Sequence, residues 1–331
     1  MAARLNPTPS PAEEIVDLRR LSARELEPLL EEETATWRDE LEWDFAKSAD
    51  LVRRFVDLRA LNGSALLEHG EVTGSVYYVL EENKGLVGDL YVRRAFRSVE
   101  RENRLLEAAL EPAMGNPQVG RIECQLMMLH PAKGRDIPHR EYLSVFERNF
   151  MRLDLGRAPL REGRVRHPIF IEKWSDHYQD AAAHLIAAAY TGHIDSSIND
   201  QYRTTSGARR FLYNIVQYPG CGAFYRPASY AAFEAASGRL CGISLTSLVA
   251  GECGHITQIC VSPEVRGTGV GHELLRQSLV TLRNADCRSA SLTVTAANTE
   301  AVELYERVGF DTMRRFSAYV WEGFRRQRDV L

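Results

Sequence analysis

The chain of 331 residues has no apolar run approaching the ~20 residues that a bilayer span needs, so no membrane interaction is expected. It has six cysteines, Cys124, Cys221, Cys241, Cys253, Cys260 and Cys287, and no two of them form a Cys-x-x-Cys pair. That scatter excludes a disulfide framework and leaves no metal-ligand cluster, so no metal is expected. Scattered thiols in a large chain suit a reducing compartment, and a cytoplasmic location is expected. Charge of one sign is not in excess either. Against 41 Lys and Arg stand 45 Asp and Glu, a net charge of −4, which excludes a broad electrostatic footprint for nucleic acid. Residues 1–12 lack the apolar core of a signal peptide and read as a disordered leader.

What is present is a globular composition, 44% hydrophobic and 26% charged, with length enough for two domains. The most informative stretch runs from His255 to Gly271. Residues 255–261 alternate and are rich in β-branched side chains, which predicts a strand. Pro263 ends it, because proline cannot donate to a ladder. Gly267, Gly269 and Gly271 follow at every second position, and Leu274, Leu275, Leu279 and Leu282 then recur at helical spacing. Strand, glycine-rich turn and helix together gather backbone N–H groups at the positive end of a helix, an anion site. No Gly-Lys-Ser/Thr follows, so the turn is not a Walker loop. The next strand, Ala290–Thr295, ends in Ala-Ala-Asn298 and not in the acidic residue of a dinucleotide fold.

Arg266-Gly-Thr-Gly-Val-Gly271 resembles the acyl-CoA pyrophosphate loop of the GNAT acetyltransferase superfamily. Arg266, Gly269 and Gly271 fill its Arg/Gln-x-x-Gly-x-Gly/Ala template. Downstream, Asn298, Tyr305 and Gly309-Phe310 resemble the family's second signature, and the likeness covers residues 168–322. It implies an α/β fold of the α+β type, with a mixed, mostly antiparallel central sheet flanked by helices. It also implies acetyl transfer from acetyl-CoA to an amine by direct attack. The residues it places around the cosubstrate are Ile259, Cys260, Val261, the whole loop Arg266, Gly267, Thr268, Gly269, Val270 and Gly271, and Asn298. Tyr305 takes the family's general-acid position, protonating the leaving thiolate.

The N-terminal half repeats this order. With Leu90-Tyr91-Val92 laid on Ile259-Cys260-Val261 and no gap, Leu105-Leu106 falls on Leu274-Leu275 and Phe146 on Tyr305. Gly74 stands 18 residues before Val92, and Gly242 stands 19 before Val261. A duplicated domain follows, in which Ser98, Glu100 and Glu102 replace the three glycines and His139 replaces Asn298. Two carboxylates facing a pyrophosphate repel it, so this copy is expected to lack a cofactor site. The expected layout is a GNAT-like domain at 13–155, a linker at 156–167 and a catalytic domain at 168–331. Helices are expected over 13–62 and at Glu141–Phe150. The basic linker reads as a solvated tether, although its charge is suited to a phosphate.

Two readings stay open for residues 190–205. Tyr190, Asp195 and Tyr202 are candidates to receive a cationic amine, whereas Asp195, Ser196, Asn199 and Thr205 are also good helix caps. For the base that frees the amine, His255 is the first candidate. It sits six positions before Val261, hence on the same face by period two, and histidine titrates in the useful range. Glu252 is second, with a turn role as its alternative. Cys260 lacks partners for covalent catalysis. The acceptor is expected to be a small-molecule or peptide amine. Alternatives are a CoA-binding regulatory protein with a decayed acceptor site, a transferase of a longer acyl chain, and transfer to a hydroxyl.

Overall fold

The computed structural model describes residues 13–129, 134–218 and 220–325; the expected leader lies outside them. In chain order the elements are β1 (Glu14–Asp17), α1 (Ala23–Leu41), α2 (Ala46–Asp57), β2 (Asn62–Glu68), β3 (Glu71–Glu81), β4 (Lys84–Val92), α3 (Val99–Gly115), β5 (Arg121–Gln125) and β6 (Leu143–Asp154). The second half continues with β7 (Ile169–Lys173), α4 (Gln179–Ala189), α5 (Asp195–Ile198), α6 (Thr205–Gln217), β8 (Ala223–Phe224), β9 (Tyr230–Glu234), β10 (Leu240–Ala250), β11 (Cys253–Val261), α7 (Val270–Asn284), β12 (Ser289–Thr295), α8 (Thr299–Val308) and β13 (Asp311–Glu322). Among the described residues no helix is long and apolar enough to cross a membrane.

The chain forms two compact units that are not continuous in sequence. Unit 1 takes the residues up to Thr36, Ala49–Val145, and those from Tyr319 on; unit 2 takes Trp37–Ser48 and Phe146–Ala318. The expected boundary at 155 and 168 is therefore revised. Residues 148–154 of β6 pair antiparallel with β12, from Thr295↔Arg148 to Ser289↔Asp154, inside unit 2. The end of β13 instead closes the core of unit 1, where Tyr319, Trp321 and Phe324 pack with Leu105, Leu110 and Ile122. Near the amino terminus the expected helices are preceded by the strand β1, which pairs with β2.

The expected helix at Glu141–Phe150 is the strand β6. Met151 and Leu153 on it, and Leu155 just after it, lie in the core of unit 2. Cross-strand pairing with β12 thus overrides the helical reading of that stretch. Phe146 consequently lies on a strand, and the gapless alignment of the halves stops before it.

Up to that point the order and pairing of the elements repeat. In unit 1, β2, β3 and β4 form an antiparallel meander and β4 pairs parallel with β5. In unit 2, β7, β9, β10 and β11 are antiparallel in that order and β11 pairs parallel with β12. Each copy has a bulge at the aligned position. Gly88 is the extra residue between Asp89 and Val87 opposite β3, and Thr257 is the extra residue between Gln258 and Ile256 opposite β10. A Cβ built on Gly74 meets Leu105 at 2.9 Å and Val92 at 3.0 Å, and one on Gly242 meets Leu274 at 2.8 Å and Val261 at 3.2 Å. The same close helix-on-strand approach demands glycine at both places.

Candidate active site

The site of unit 2 begins where β11 ends. Ser262 leads into a 3-10 turn at Pro263–Val265, and Gly269, with φ +96°, precedes the first residue of α7. Gly267 has φ +70°. Both conformations disfavour any side chain. A Cβ on Gly267 would meet open space, one on Gly271 only Val261 at 3.7 Å, and one on Gly269 the carbonyl oxygen of Arg164 at 2.5 Å. The mouth of the loop is therefore open at Gly267 and Gly271, while Gly269 is pressed against chain. The first N–H groups of α7 have no intrahelical acceptor, and they stand at the positive end of its dipole. That arrangement fits a pyrophosphate. Arg266 points elsewhere. Its guanidinium donates to the Ala189 carbonyl at the end of α4, so the template arginine fastens helix to loop.

Beside the loop the sheet opens. The parallel ladder of β11 and β12 runs only from Cys253↔Ser289 to Ile256↔Leu292, although β11 continues to Val261 and β12 to Thr295. The Thr257 bulge sits where pairing stops, as bulges do when they bend a strand away from its neighbour. Ser262 N–H donates to Cys241 O at 2.8 Å across the β10 edge. Period two then turns the Cys260 N–H the same way and those of Ile259 and Val261 toward the open wedge. Backbone donors aimed into a slot this narrow suit an extended amide-bearing arm.

Across the wedge lies α8. Asn298 caps it, its side chain accepting from Ala301 N–H at 3.4 Å. Tyr305 is 7% exposed and packs edge-on against Phe310, and its hydroxyl makes no hydrogen bond to a described residue. Burial pushes the Tyr305 phenol well above its usual range, and the Asp195 carboxylate adds to this while Arg148 opposes it.

Asp195 is thus close to Tyr305, and it heads a polar cluster. Thr295 donates to the Asp195 carboxylate, Arg148 lies 3.7 Å from it, and Arg148 also donates to Thr295 Oγ1 at 3.3 Å. Asp195 N–H donates to His193 Nδ1 at 3.2 Å, and His193 Nε2 lies 3.4 Å from Asn298 Nδ2. The capping alternative holds in part: Asn199 caps the turn at Asp200–Arg203, whereas Thr204, not Thr205, caps α6. Tyr190 and Tyr202 stack at 4.5 Å. Gln258 Nε2 donates to the Tyr190 hydroxyl at 2.9 Å, and the Tyr202 hydroxyl donates to Gln258 Oε1 at 3.3 Å. Burial raises both phenols, so they stay neutral. Arg148, Gln258 and Thr295 were not singled out from the sequence, since they lie on three strands far apart in the chain.

The histidine expected as base sits otherwise than period two implied. His255 is opposite Ser247, Gln258 opposite Leu245 and Val261 opposite Gly242. The Thr257 bulge reverses the alternation, so His255 shares the face of Gln258 and Cys260, away from Val261. Its Nδ1 is 2.9 Å from Ser291 Oγ. Trp43 packs edge-on at 5.0 Å and Phe150 lies parallel at 6.4 Å. Burial lowers its pKa to about 4, which keeps the ring neutral. Glu252 is in the turn before β11, its carbonyl accepting from Arg288 N–H at 2.8 Å and its carboxylate paired with the Arg288 guanidinium at 2.8 Å. Cys260 is raised to about 12, chiefly by burial, and so carries a thiol and not a nucleophilic thiolate. Among the described residues no group of three or more His, Cys, Asp or Glu is placed to hold a metal.

The acetyltransferase (GNAT) family profile matches residues 193–310, from His193 through both signatures. Those residues form a GNAT acetyltransferase domain. Mycothiol acetyltransferase of Thermobispora bispora is 38% identical over 93 residues, 26% of this chain and 31% of that protein. The enzyme of the same name from a Mycobacterium species is 33% identical over 102 residues, 29% of this chain and 34% of that protein. The chain thus matches about a third of the length of these relatives. Two solved structures share the fold over nearly the whole chain. One is a tandem GNAT protein from the clavulanic acid biosynthesis pathway, with TM-score 0.61, 20% identity and coverage of 94% of this chain and 98% of that one. The other is a GCN5-related N-acetyltransferase from Sphaerobacter thermophilus, with TM-score 0.63, 17% identity and coverage of 93% and 95%.

Unit 1 keeps the bulge that unit 2 has but not the loop. Arg97, aligned with Arg266, donates to Val92 O at 3.3 Å and lies 5.3 Å over the Tyr91 ring. Ser98 caps α3 by accepting from Arg101 N–H, and Glu100 and Glu102 fill its first turn. Buried Glu102 pairs with Arg135. The helix start already carries its negative charge. After β5, His139 has a left-handed backbone and opens only a 3-10 turn, where unit 2 builds α8.

Proposed function

We propose that the chain is an acetyl-CoA-dependent N-acetyltransferase acting through unit 2, with unit 1 binding no CoA. The observation that carries this reading is the convergence of an open helix N-terminus at 267–271, a wedge between β11 and β12, and the buried Tyr305 phenol across it. In this reading the loop N–H groups hold the pyrophosphate, and the free edge of Ile259 and Val261 binds the pantetheine arm. One of those amides polarises the thioester carbonyl, a role that needs a fixed donor where negative charge develops. The Tyr305 hydroxyl, neutral at physiological pH, supplies a proton to the leaving sulfur.

The acceptor enters from the side of α4 and α6. Asp195 is the anionic group there and favours an amine that arrives as a cation. Tyr190 and Tyr202, tied to Gln258, shape the wall. The proton of the amine is taken up by His255 through its neutral ring, or by His193, which lies beside Asp195 and Asn298. The name of those relatives, mycothiol acetyltransferase, offers mycothiol-like amines as one group of acceptors to include. The test is release of free thiol from acetyl-CoA with a panel of amines, read together with the intact mass of the product. Calorimetric binding of CoA at one site per chain, without transfer to any amine, would support a regulatory CoA-binding role instead.

A further inference from the structure

The segment joining the halves was expected to be a solvated tether, yet its backbone is pinned along the cofactor loop at three points. A Cβ on Gly163 would strike the His272 ring, in the first turn of α7, at 2.6 Å. The Arg164 carbonyl lies against Gly269. Arg166 N–H donates to Thr268 O at 2.8 Å, and its guanidinium donates to Gly267 O at 2.9 Å. Between the two arginines Val165 turns inward onto the cluster of Val265, Val270 and Leu274. In an extended segment neighbours of an inward residue face outward. Arg164 and Arg166 therefore share the solvent side, and both are exposed.

From this we propose that Arg164 and Arg166 form a second anion subsite, which reads the 3′-phosphate on the ribose of CoA. The inference rests on the proposed acetyl-CoA site. CoA carries two phosphate groups at one end, a pyrophosphate and a ribose 3′-monophosphate. The α7 N-terminus answers the first with neutral N–H donors. The second carries a separate double charge a few bonds further out, and guanidinium groups match phosphate geometry. Both arginines lie within a Debye length of the loop, on a segment that Val165 and the Thr268 bond hold still. Among the described residues, unit 1 carries carboxylates at its helix start, and the pairing of an open loop with a basic flanking segment is seen in unit 2.

The experiment is calorimetry of the full chain with CoA and with 3′-dephospho-CoA. Wild type is expected to prefer CoA by roughly tenfold, the scale of a charge-assisted contact partly screened by solvent. Arg164→Gln with Arg166→Gln is expected to erase that preference, any loss of the Arg166–Gly267 bond lowering the affinity for both ligands alike, and the double lysine variant to restore part of it. Arg164→Gln alone removes charge without touching the loop's bonds and is expected to lose part of the preference. Equal losses for both ligands, or an unchanged preference, would overturn the subsite while leaving the CoA site standing. A wild-type protein that binds neither ligand overturns the proposed function and this inference with it.

Discussion

Asn298 Nδ2 lies 3.4 Å from His193 Nε2, and that contact joins the start of the helix bearing Tyr305 to the loop bearing Asp195. The thiol side of the site and its acceptor side thus come together at these two residues. Asp195 is the charged member, and Arg148 with Thr295 holds it.

Asp195→Asn is expected to keep the bond from Thr295 and lose the charge. If the acceptor arrives as a cation, KM for the amine should rise about tenfold while the affinity for acetyl-CoA stays within a few-fold. Steady-state kinetics with a cationic and a neutral acceptor checks it: the loss should fall on the cation. An equal loss with both would reassign Asp195 to positioning.

The glycines of the loop should differ in their tolerance. Gly269 combines φ +96° with a carbonyl oxygen 2.5 Å from its Cβ position, whereas Gly271 meets its nearest atom at 3.7 Å. Gly269→Ala is expected to destabilise unit 2 by about 1–3 kcal/mol and to weaken CoA binding at least tenfold. Gly271→Ala, early in a helix, should be neutral or stabilising by up to about 1 kcal/mol. Thermal melts and calorimetry of both variants separate the two. Comparable losses would mean that Gly271 too is pressed on by something the loop holds.

His255 links the fold to pH. Its folded pKa, about 4, lies below the ~6.5 of an unfolded chain. Between those values the unfolded state binds a proton that the folded state refuses, so stability rises with pH in that window. This contribution is fully present above pH ~6.5 and is lost as pH falls toward 4. Tm of wild type minus Tm of His255→Gln should therefore shrink on acidification. A constant difference would show that the buried ring accepts a proton freely. If His255 also takes the amine's proton, the acid limb of kcat/KM should fall near pH 4 and vanish in the variant.

The sequence disclosed the loop, its helix and the cap at Asn298, because each is a local device with its own residue signature. It also disclosed the repeat, through Gly74 and Gly242, which serve the same close packing in both halves. It misplaced His255, because one bulge residue, Thr257, reverses every later side chain and leaves no trace in composition. It missed β6, because the partner that makes 148–154 a strand is β12, some 140 residues on. The cluster of Arg148, His193, Asp195 and Thr295 comes from β6, β12 and the short segment 193–195, and only pairing and loop closure bring these three together.

Tyr305 is the residue on which the proposed chemistry depends most. It reaches the wedge from α8, seven positions after the Asn298 cap, and its hydroxyl has no described protein partner. Burial and the nearby Asp195 hold the phenol in its protonated form, which suits a donor and excludes a resting phenolate. A donor to sulfur matters most as negative charge develops there, so its loss should lower kcat more than it raises KM. Tyr305→Phe keeps the ring that packs on Phe310, and the fold should survive it. The expected result is an acetyl-CoA affinity within a few-fold of wild type and a kcat lower by ~10² or more. The loss should also shrink with an acyl donor whose thiol leaves more readily, because such a leaving group needs its proton less. Near-wild-type turnover by Tyr305→Phe would leave the tyrosine only a packing role against the pantetheine arm and return the proton to solvent.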